Sequence, residues 1–245
     1  MKLLKTGEIK NYVEKNIGSF HQKRLDSLNG LKLNRILIRK NPYLFRAKNI
    51  LLAQDLVTTL LDAHLSSQEE TIFGKLLEGL SIFICKKVYG GMKSSAEGID
   101  LEFEKKGVKY IVAIKSGPNW GNSSQIQKML DNFRKAKRIL GTNVNRQNIV
   151  AINGCCYGKE EAFEKEEYLK LCGQRYWEFI SGDSELYVQI IEPLGYKAKQ
   201  KNDEFTKAYS KIINQFTKEF IKEFCKQDGS IDWNRLVEFN SGKGS

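Results

Sequence analysis

The chain has 245 residues, and its 40 Lys+Arg against 29 Asp+Glu give a formal net charge of +11. With 41% hydrophobic and 28% charged residues, the composition is that of an ordinary globular protein, which excludes the disordered and collagen-like classes. The basic balance indicates a polyanionic partner.

Membrane insertion and secretion find no support in the sequence. No apolar run approaches the roughly 20 residues that a membrane-spanning helix requires. The N-terminal lysines are not followed by the apolar segment of a secretory signal. The five cysteines are odd in number and are expected to be free thiols in a reducing compartment. We therefore expect a cytoplasmic protein.

The first part of the chain carries most of the positive charge. Its first fifty residues hold twelve Lys/Arg against three Asp/Glu. Leu31–Lys40 mixes strand and helix periods, so its type stays open, and Asn41-Pro42 ends it. Apolar residues recur at helical spacing over Ala47–Leu65. Residues 1–66 are thus expected to form a basic helical extension that either dimerises or clamps DNA.

A helix and a hairpin are predicted next. A capping box at residues 67–70 predicts the start of a helix that the glycines at 90–91 close. Two runs of alternating polarity, Gly98–Phe103 and Val108–Lys115, are separated by Lys105–Gly107 in the manner of a β-hairpin.

The segment after the hairpin alternates loop, helix and strand. The polar, glycine-rich loop Ser116–Asn122 leads to a helix with a basic face, capped by Ser123 or Ser124. Asn148–Gly154 is apolar on both sides, which is typical of an interior strand. A charged helix is predicted over residues 160–171.

The remaining elements complete an α/β pattern. Leu186–Ile191 is predicted to be a strand, and Asp203–Cys225 and Asp232–Phe239 to be helices. The order predicts a mixed central β-sheet flanked by helices, with N-terminal and C-terminal helical extensions. Residues 67–245 are expected to form one continuous domain.

The residue inventory narrows the chemistry. Two histidines and no Cys-x-x-Cys leave zinc sites of the common kinds without ligands, and no Walker loop or Gly-x-Ser-x-Gly elbow occurs. Asp100 and Glu102 share one face of the first hairpin strand, while Lys115 ends the second. Carboxylates that bind a divalent cation, beside a lysine that orients water, are suited to phosphodiester hydrolysis.

These residues lie in a pattern that resembles a known nuclease core. Gly98-Ile99-Asp100, a short hairpin and then Ile111–Lys115 resemble the PD-(D/E)xK core of type II restriction endonucleases. Phe73–Glu78, Lys115–Trp120 and Asp228–Trp233 are similar to enzymes that cut GGNCC-type sites, a group that includes the TdeIII type. The resemblance covers roughly residues 40 to 240. It implies a restriction-endonuclease-like fold and a Mg²⁺-dependent, site-specific DNA endonuclease.

The resemblance also implies roles for individual residues. Asp100 would bind the metal, the backbone carbonyl of Ile114 would be a further metal ligand, and Lys115 would position the nucleophilic water. The chain departs from the pattern at Ala113, where the family usually has Asp or Glu. Glu78 is our first candidate for the replacing carboxylate, as catalytic residue and metal ligand, and the alternatives are Glu102 and Asp131.

Two groups of residues are candidates for DNA contacts. Basic residues along the helix after the glycine-rich loop would bind phosphates, among them Lys128, Arg134 and Lys135. Polar loop residues would read bases, namely Asn119, Asn122 and Gln125 after the lysine and Tyr157 and Lys159 after the interior strand.

The expected ligand is a short palindrome or interrupted palindrome in double-stranded DNA. A two-fold symmetric target is matched most simply by a homodimer. A restriction–modification system would add a cognate DNA methyltransferase. Two alternatives stay open: a repair or mobile-element nuclease with the same core, and a DNA-binding protein whose nuclease site has decayed, which Ala113 favours.

Overall fold

The computed structural model describes residues 6–141, 148–160 and 163–243. The strands within these residues are β1 (Leu101–Lys105), β2 (Val108–Lys115), β3 (Ile149–Cys155) and β4 (Leu169–Cys172). The helices are α1 (Thr6–Asn29), α2 (Leu33–Leu37), α3 (Pro42–Ala47), α4 (Ala53–Tyr89), α5 (Ser123–Gly141), α6 (Gln174–Ser181), α7 (Leu186–Gln189), α8 (Ile191–Leu194), α9 (Ala198–Phe224) and α10 (Trp233–Ser241). Among the helices of these residues, none combines the length and the hydropathy of a membrane span.

The chain divides into two compact units. The first combines Met1–Gly18 with Phe73–Tyr196 and contains the sheet. The second combines Ser19–Ile72 with Lys197–Ser245 and is helical in its described part. Helices α1 and α4 each contribute residues to both units.

A four-stranded mixed sheet in the order β1-β2-β3-β4 forms the centre of the first unit. Strands β1 and β2 are an antiparallel hairpin whose two turn residues, Lys106 and Gly107, have φ of 53° and 75°. Positive φ at both positions is the conformation that lets a two-residue turn follow the twist of the strands. Strands β2, β3 and β4 are parallel, so their carboxyl ends share one edge of the sheet.

Helices cover the sheet because its two central strands are apolar on both faces. Met129, Phe133 and Ala136 of α5 pack against Ile111 and Ala151. Helix α4 also contacts the sheet: Tyr89 at its end stacks on Phe103 of β1 with ring centroids 5.5 Å apart. The predicted mixed α/β sheet flanked by helices is confirmed.

The second unit has its own hydrophobic core. Phe216, Phe220 and Phe224 lie one helical turn apart on α9 and are buried with Leu56 and Leu60 of α4. This spacing is the amphipathic pattern that predicts the long C-terminal helix from the sequence. The helix begins at Ala198, five residues before the predicted start.

Two predicted helix starts are wrong. Helix α4 is continuous from Ala53, so residues 67–70 lie in its interior, where the Thr71 hydroxyl donates to the Ser67 carbonyl instead of capping a new helix. Helix α5 is capped by Asn122, not by a serine: the Asn122 Oδ1 accepts from the Gln125 N–H at 3.0 Å, and the Gln125 Oε1 accepts from the Asn122 N–H at 3.0 Å. This reciprocal pair is a capping box.

Two segments have the opposite type from the one predicted. Residues 186–191 are helical in α7 and α8, because Leu186, Ile190 and Pro193 are buried at helical spacing while Val188 is exposed. The predicted helix over 160–171 is replaced at its end by β4, whose residues pair with β3 and extend the sheet. Glu161 and Ala162, within that prediction, lie outside the described residues.

Candidate functional site

Asp100 lies just before β1, beside the end of β2. Its Oδ2 accepts a hydrogen bond of 2.7 Å from the Ile114 N–H, and its own N–H donates to the Val112 carbonyl. Within a strand, the N–H and C=O of one residue point to the same neighbour. The Ile114 carbonyl therefore emerges on the side of β2 where the Asp100 carboxylate lies.

Three charged side chains act on the Asp100 carboxyl group. Burial raises the pKa of Asp100, and the nearby Glu78 carboxylate raises it further. The Ile114 N–H, Lys115 and Lys93 lower it. Helix α4, the segment between α4 and β1, the start of β1 and the end of β2 thus bring two carboxylates and two ammonium groups together.

Lys93 is a member of this group that the sequence analysis did not identify. It follows Met92, whose backbone bridges to Glu102 of β1, and its Nζ lies 3.6 Å from Glu78 Oε1. The side chain of Lys93 is 71% exposed, so the pair is a surface ion pair. No local motif marks Lys93; the sheet places it beside Glu78.

Lys115 is positioned from the loop that follows it. Its Nζ lies 4.7 Å from the centre of the Trp120 ring, a cation–π contact. The Trp120 Nε1 donates a hydrogen bond of 3.3 Å to Oδ1 of Asn153, whose side chain is buried. Neither Trp120 nor Asn153 was predicted as a site residue, although Asn153 is a polar side chain near the end of the apolar predicted strand.

The carboxylates considered as replacements at Ala113 have different surroundings. Ala113 itself is fully buried in the apolar cluster under α5. Glu102 pairs with Lys109 at 3.3 Å, and Asp131 pairs with Arg134 at 3.1 Å on the exposed face of α5. Of the three, only Glu78 is among the groups that shift the pKa of Asp100 in the described structure.

The donor set suits a hard cation that keeps part of its water shell. Within the described residues, no group of three or more His, Cys, Asp or Glu side chains lies close enough to form a metal site. The Glu78 and Asp100 carboxylates repel each other, and a backbone carbonyl lies beside them. Such a set matches Mg²⁺, which is commonly bound by one or two carboxylates, waters and substrate phosphates. Asp100, Glu78 and the Ile114 carbonyl fit that description.

Much of the basic face of α5 is paired with acidic side chains. The Arg134 guanidinium makes a two-pronged contact with Glu167, which includes an Nε–Oε2 bond of 2.7 Å, and holds the pKa of Glu167 below its usual range. Lys135 pairs with Glu97 at 3.1 Å. Lys128 is exposed on the first turns of the same helix.

The loop residues predicted to read bases also divide into those bonded within the protein and those that are exposed. The side-chain oxygens of Asn122 and Gln125 are used in the cap of α5, whereas Asn119 is exposed. Tyr157 is 52% exposed, and its N–H donates to the Ser116 carbonyl, so its loop lies directly beside the loop that follows Lys115. Lys159 is exposed in the same segment.

Comparison with known proteins identifies one family. The family model described as type II restriction endonuclease EcoO109I matches residues 7–202. A search of the curated proteins finds no match. The matched range contains strands β1 to β4, Asp100 and the three charged residues that act on it.

Proposed function

Because the chain belongs to the EcoO109I family of type II restriction endonucleases, we propose that it hydrolyses phosphodiester bonds of double-stranded DNA with Mg²⁺ at a short palindromic or interrupted palindromic site of the GGNCC type. The observation that carries the proposal is the convergence of Glu78, Asp100, Lys93 and Lys115 at the carboxyl end of β2. It is the arrangement expected of a PD-(D/E)xK core in which a helix supplies the second acid.

In this proposal each residue has one task. Asp100, Glu78 and the Ile114 carbonyl would hold Mg²⁺, and a bound Mg²⁺ would supply positive charge for the scissile phosphate and a more acidic water. Lys115 orients the attacking water and stabilises the charge that develops on the phosphate. The Ile114 N–H fixes the Asp100 carboxylate at 2.7 Å, so that ligand is oriented before the metal arrives.

The proposed function also implies an oligomeric state, a partner enzyme and contacts with DNA. We infer a cytoplasmic homodimer that places one site on each DNA strand, and a cognate methyltransferase that protects the host. Residues 1–66 are proposed to dimerise or to clamp DNA, and Lys128, Asn119, Tyr157 and Lys159 to contact it. A DNA-binding protein with a decayed site is the second candidate, and the buried, apolar surroundings of Ala113 favour it.

Cleavage of plasmid DNA tests the proposal. Discrete fragments are expected with Mg²⁺ and none with EDTA. Asp100→Ala and Lys115→Ala should each lower the cleavage rate by roughly 10²-fold or more while duplex binding persists. Asp203→Ala and Lys199→Ala, which change exposed residues of α9, are the matched controls. Retention of DNA without cleavage by the wild-type protein would favour the decayed site, and structure-dependent nicking would favour a repair nuclease.

A further inference from the structure

A cleft of about 560 Å³ opens at the carboxyl ends of β3 and β4. Its lining includes the loop of Tyr157 to Glu160, the start of α6 and the exposed ring of Tyr187. Because β2, β3 and β4 are parallel, this cleft lies at the same edge of the sheet as Lys115. Two strand spacings of ~4.8 Å separate β4 from β2, which corresponds to about three base-pair steps of ~3.4 Å.

Arg175 is the basic side chain on the α6 wall of this cleft. Its Nε lies 3.4 Å from Oε1 of Glu160, and its guanidinium carbon lies 5.3 Å from the centre of the Phe163 ring. The side chain is nevertheless 61% exposed. Since Nε is the atom that faces Glu160, the two terminal amino groups remain for a ligand in the cleft.

Glu160 is a fixed support for this guanidinium. Its side chain is only 5% exposed, and its Oε2 accepts a hydrogen bond of 3.0 Å from the Cys172 N–H at the end of β4. Its Oε1 is buried and accepts no hydrogen bond from the described residues. A buried carboxylate with one such oxygen needs a nearby cation, so Glu160 and Arg175 hold each other in place.

We propose that Arg175 reads a guanine in the major groove and that Glu160 is its positioning residue. The planar guanidinium fork matches the O6 and N7 acceptors of guanine, a pairing that distinguishes G·C from the other base pairs. An arginine held on one side by a carboxylate and on the other by an aromatic ring loses little side-chain freedom on binding. The inference rests on the proposed function in that it takes double-stranded DNA as the ligand.

The test is a selection of bound duplexes from a randomised library by the full chain, in EDTA so that no strand is cut. The wild type should enrich a motif that contains guanine. Because the proposed site is two-fold symmetric, Arg175→Ala should lose the preference at one guanine in each half of that motif by roughly five-fold to 150-fold, while the other positions keep theirs. Arg175→Lys should lose most of the same preference, because an ammonium has no fork. Arg235→Ala, which removes an exposed arginine on α10, should leave the motif unchanged.

Glu160→Gln separates positioning from folding. Glutamine keeps an oxygen for the Cys172 N–H but removes the charge that faces Arg175, so the guanine preference should weaken at the same position with little change in melting temperature. An equal loss of affinity for all sequences in Arg175→Ala would show a phosphate contact and overturn the inference. An unchanged motif would overturn it as well.

The selection of bound duplexes and the cleavage assay test the role of Arg175 and the proposed hydrolysis separately. A wild-type protein that selects a guanine-containing motif but never cuts with Mg²⁺ would refute the proposed hydrolysis and leave the assignment of Arg175 to be decided by its variants. A wild-type protein that cuts DNA, but whose motif is the same with and without Arg175, would refute the assignment alone. Failure to bind any duplex would refute both.

Discussion

Ala113 and Asn153 are partners on the neighbouring parallel strands β2 and β3, two residues before the strand end that carries Lys115. Side chains of register partners share one face of a sheet, so Asn153 lies beside the position where the resemblance expects an acid. Its Oδ1 accepts from Trp120, and its Nδ2 has no hydrogen-bond partner within the described residues. Asn153 and Trp120 thus support the lysine from the face that lacks the carboxylate.

The contact between Trp120 and Lys115 predicts a graded loss of cleavage. Trp120→Phe keeps an aromatic face but loses the N–H that reaches Asn153, whereas Trp120→Leu loses both. A cation–π contact contributes about 0.5 to 2 kcal/mol, so Trp120→Leu should slow cleavage by roughly two-fold to 30-fold and Trp120→Phe by less. Single-turnover rates at saturating enzyme measure this. Equal rates for all three proteins would contradict a positioning role of the ring.

Burial of Asp100 predicts that its charge destabilises the fold. The pKa of Asp100 is raised in the folded chain, so above the pKa of the unfolded chain the ionised form is penalised on folding. The penalty shrinks as the pH falls below the raised pKa of the folded chain, and it is gone below the pKa of the unfolded chain. Asp100→Asn, which can still accept from the Ile114 N–H, should therefore be more stable than the wild type at neutral pH, with a gap that closes on acidification. Urea unfolding without metal measures the gap; a less stable variant at neutral pH contradicts the prediction.

The ion pair of Lys93 with Glu78 predicts an effect on Mg²⁺ affinity. Lys93 places a positive charge beside both proposed carboxylate ligands. Removing one charge at ~4 Å in a largely solvated site is worth about 1 kcal/mol, so Lys93→Ala should bind Mg²⁺ about five-fold more tightly and Glu78→Gln more weakly. Calorimetric titration of the DNA-free protein gives both constants. Lys86→Ala, at an exposed position near the end of α4, is the control. If none of these changes alters the affinity for Mg²⁺, Glu78 is not a ligand of the site.

The pairing of charges on α5 predicts which residues contribute to the salt dependence of DNA binding. Log affinity falls linearly with log salt, and each phosphate contact that releases a counterion adds about 0.9 to the steepness of this fall. The slope below is this steepness, taken as a positive number. Lys128→Ala should lower the slope by about this amount, whereas Arg134→Ala should change it little because Glu167 already neutralises that guanidinium. Glu167→Gln should raise the slope. Binding to one duplex at several salt concentrations in EDTA measures all three, and identical slopes for the two Ala variants would contradict the prediction.

The sequence alone determined the parts of the site that depend on local pattern. The period-2 runs around Lys106-Gly107 predict the hairpin, since a two-residue turn and alternating polarity are properties of neighbouring residues. The hairpin puts Asp100 beside the end of β2, and so near Lys115. The same kind of pattern fails at residues 186–191, where β-branched and aromatic residues suit a strand but packing of Leu186 and Ile190 against the core selects a helix.

Which distant residues surround that pair depends on how the segments pack in three dimensions. The positions of Glu78, Lys93 and Trp120 depend on how a helix and a loop pack against the sheet, and the partnership of Ala113 with Asn153 depends on the register of two strands forty residues apart. Local periodicity encodes the backbone type of each segment. Long-range contacts are fixed instead by the burial of all segments together, because the free energy of packing belongs to the assembled core and not to any one of its elements.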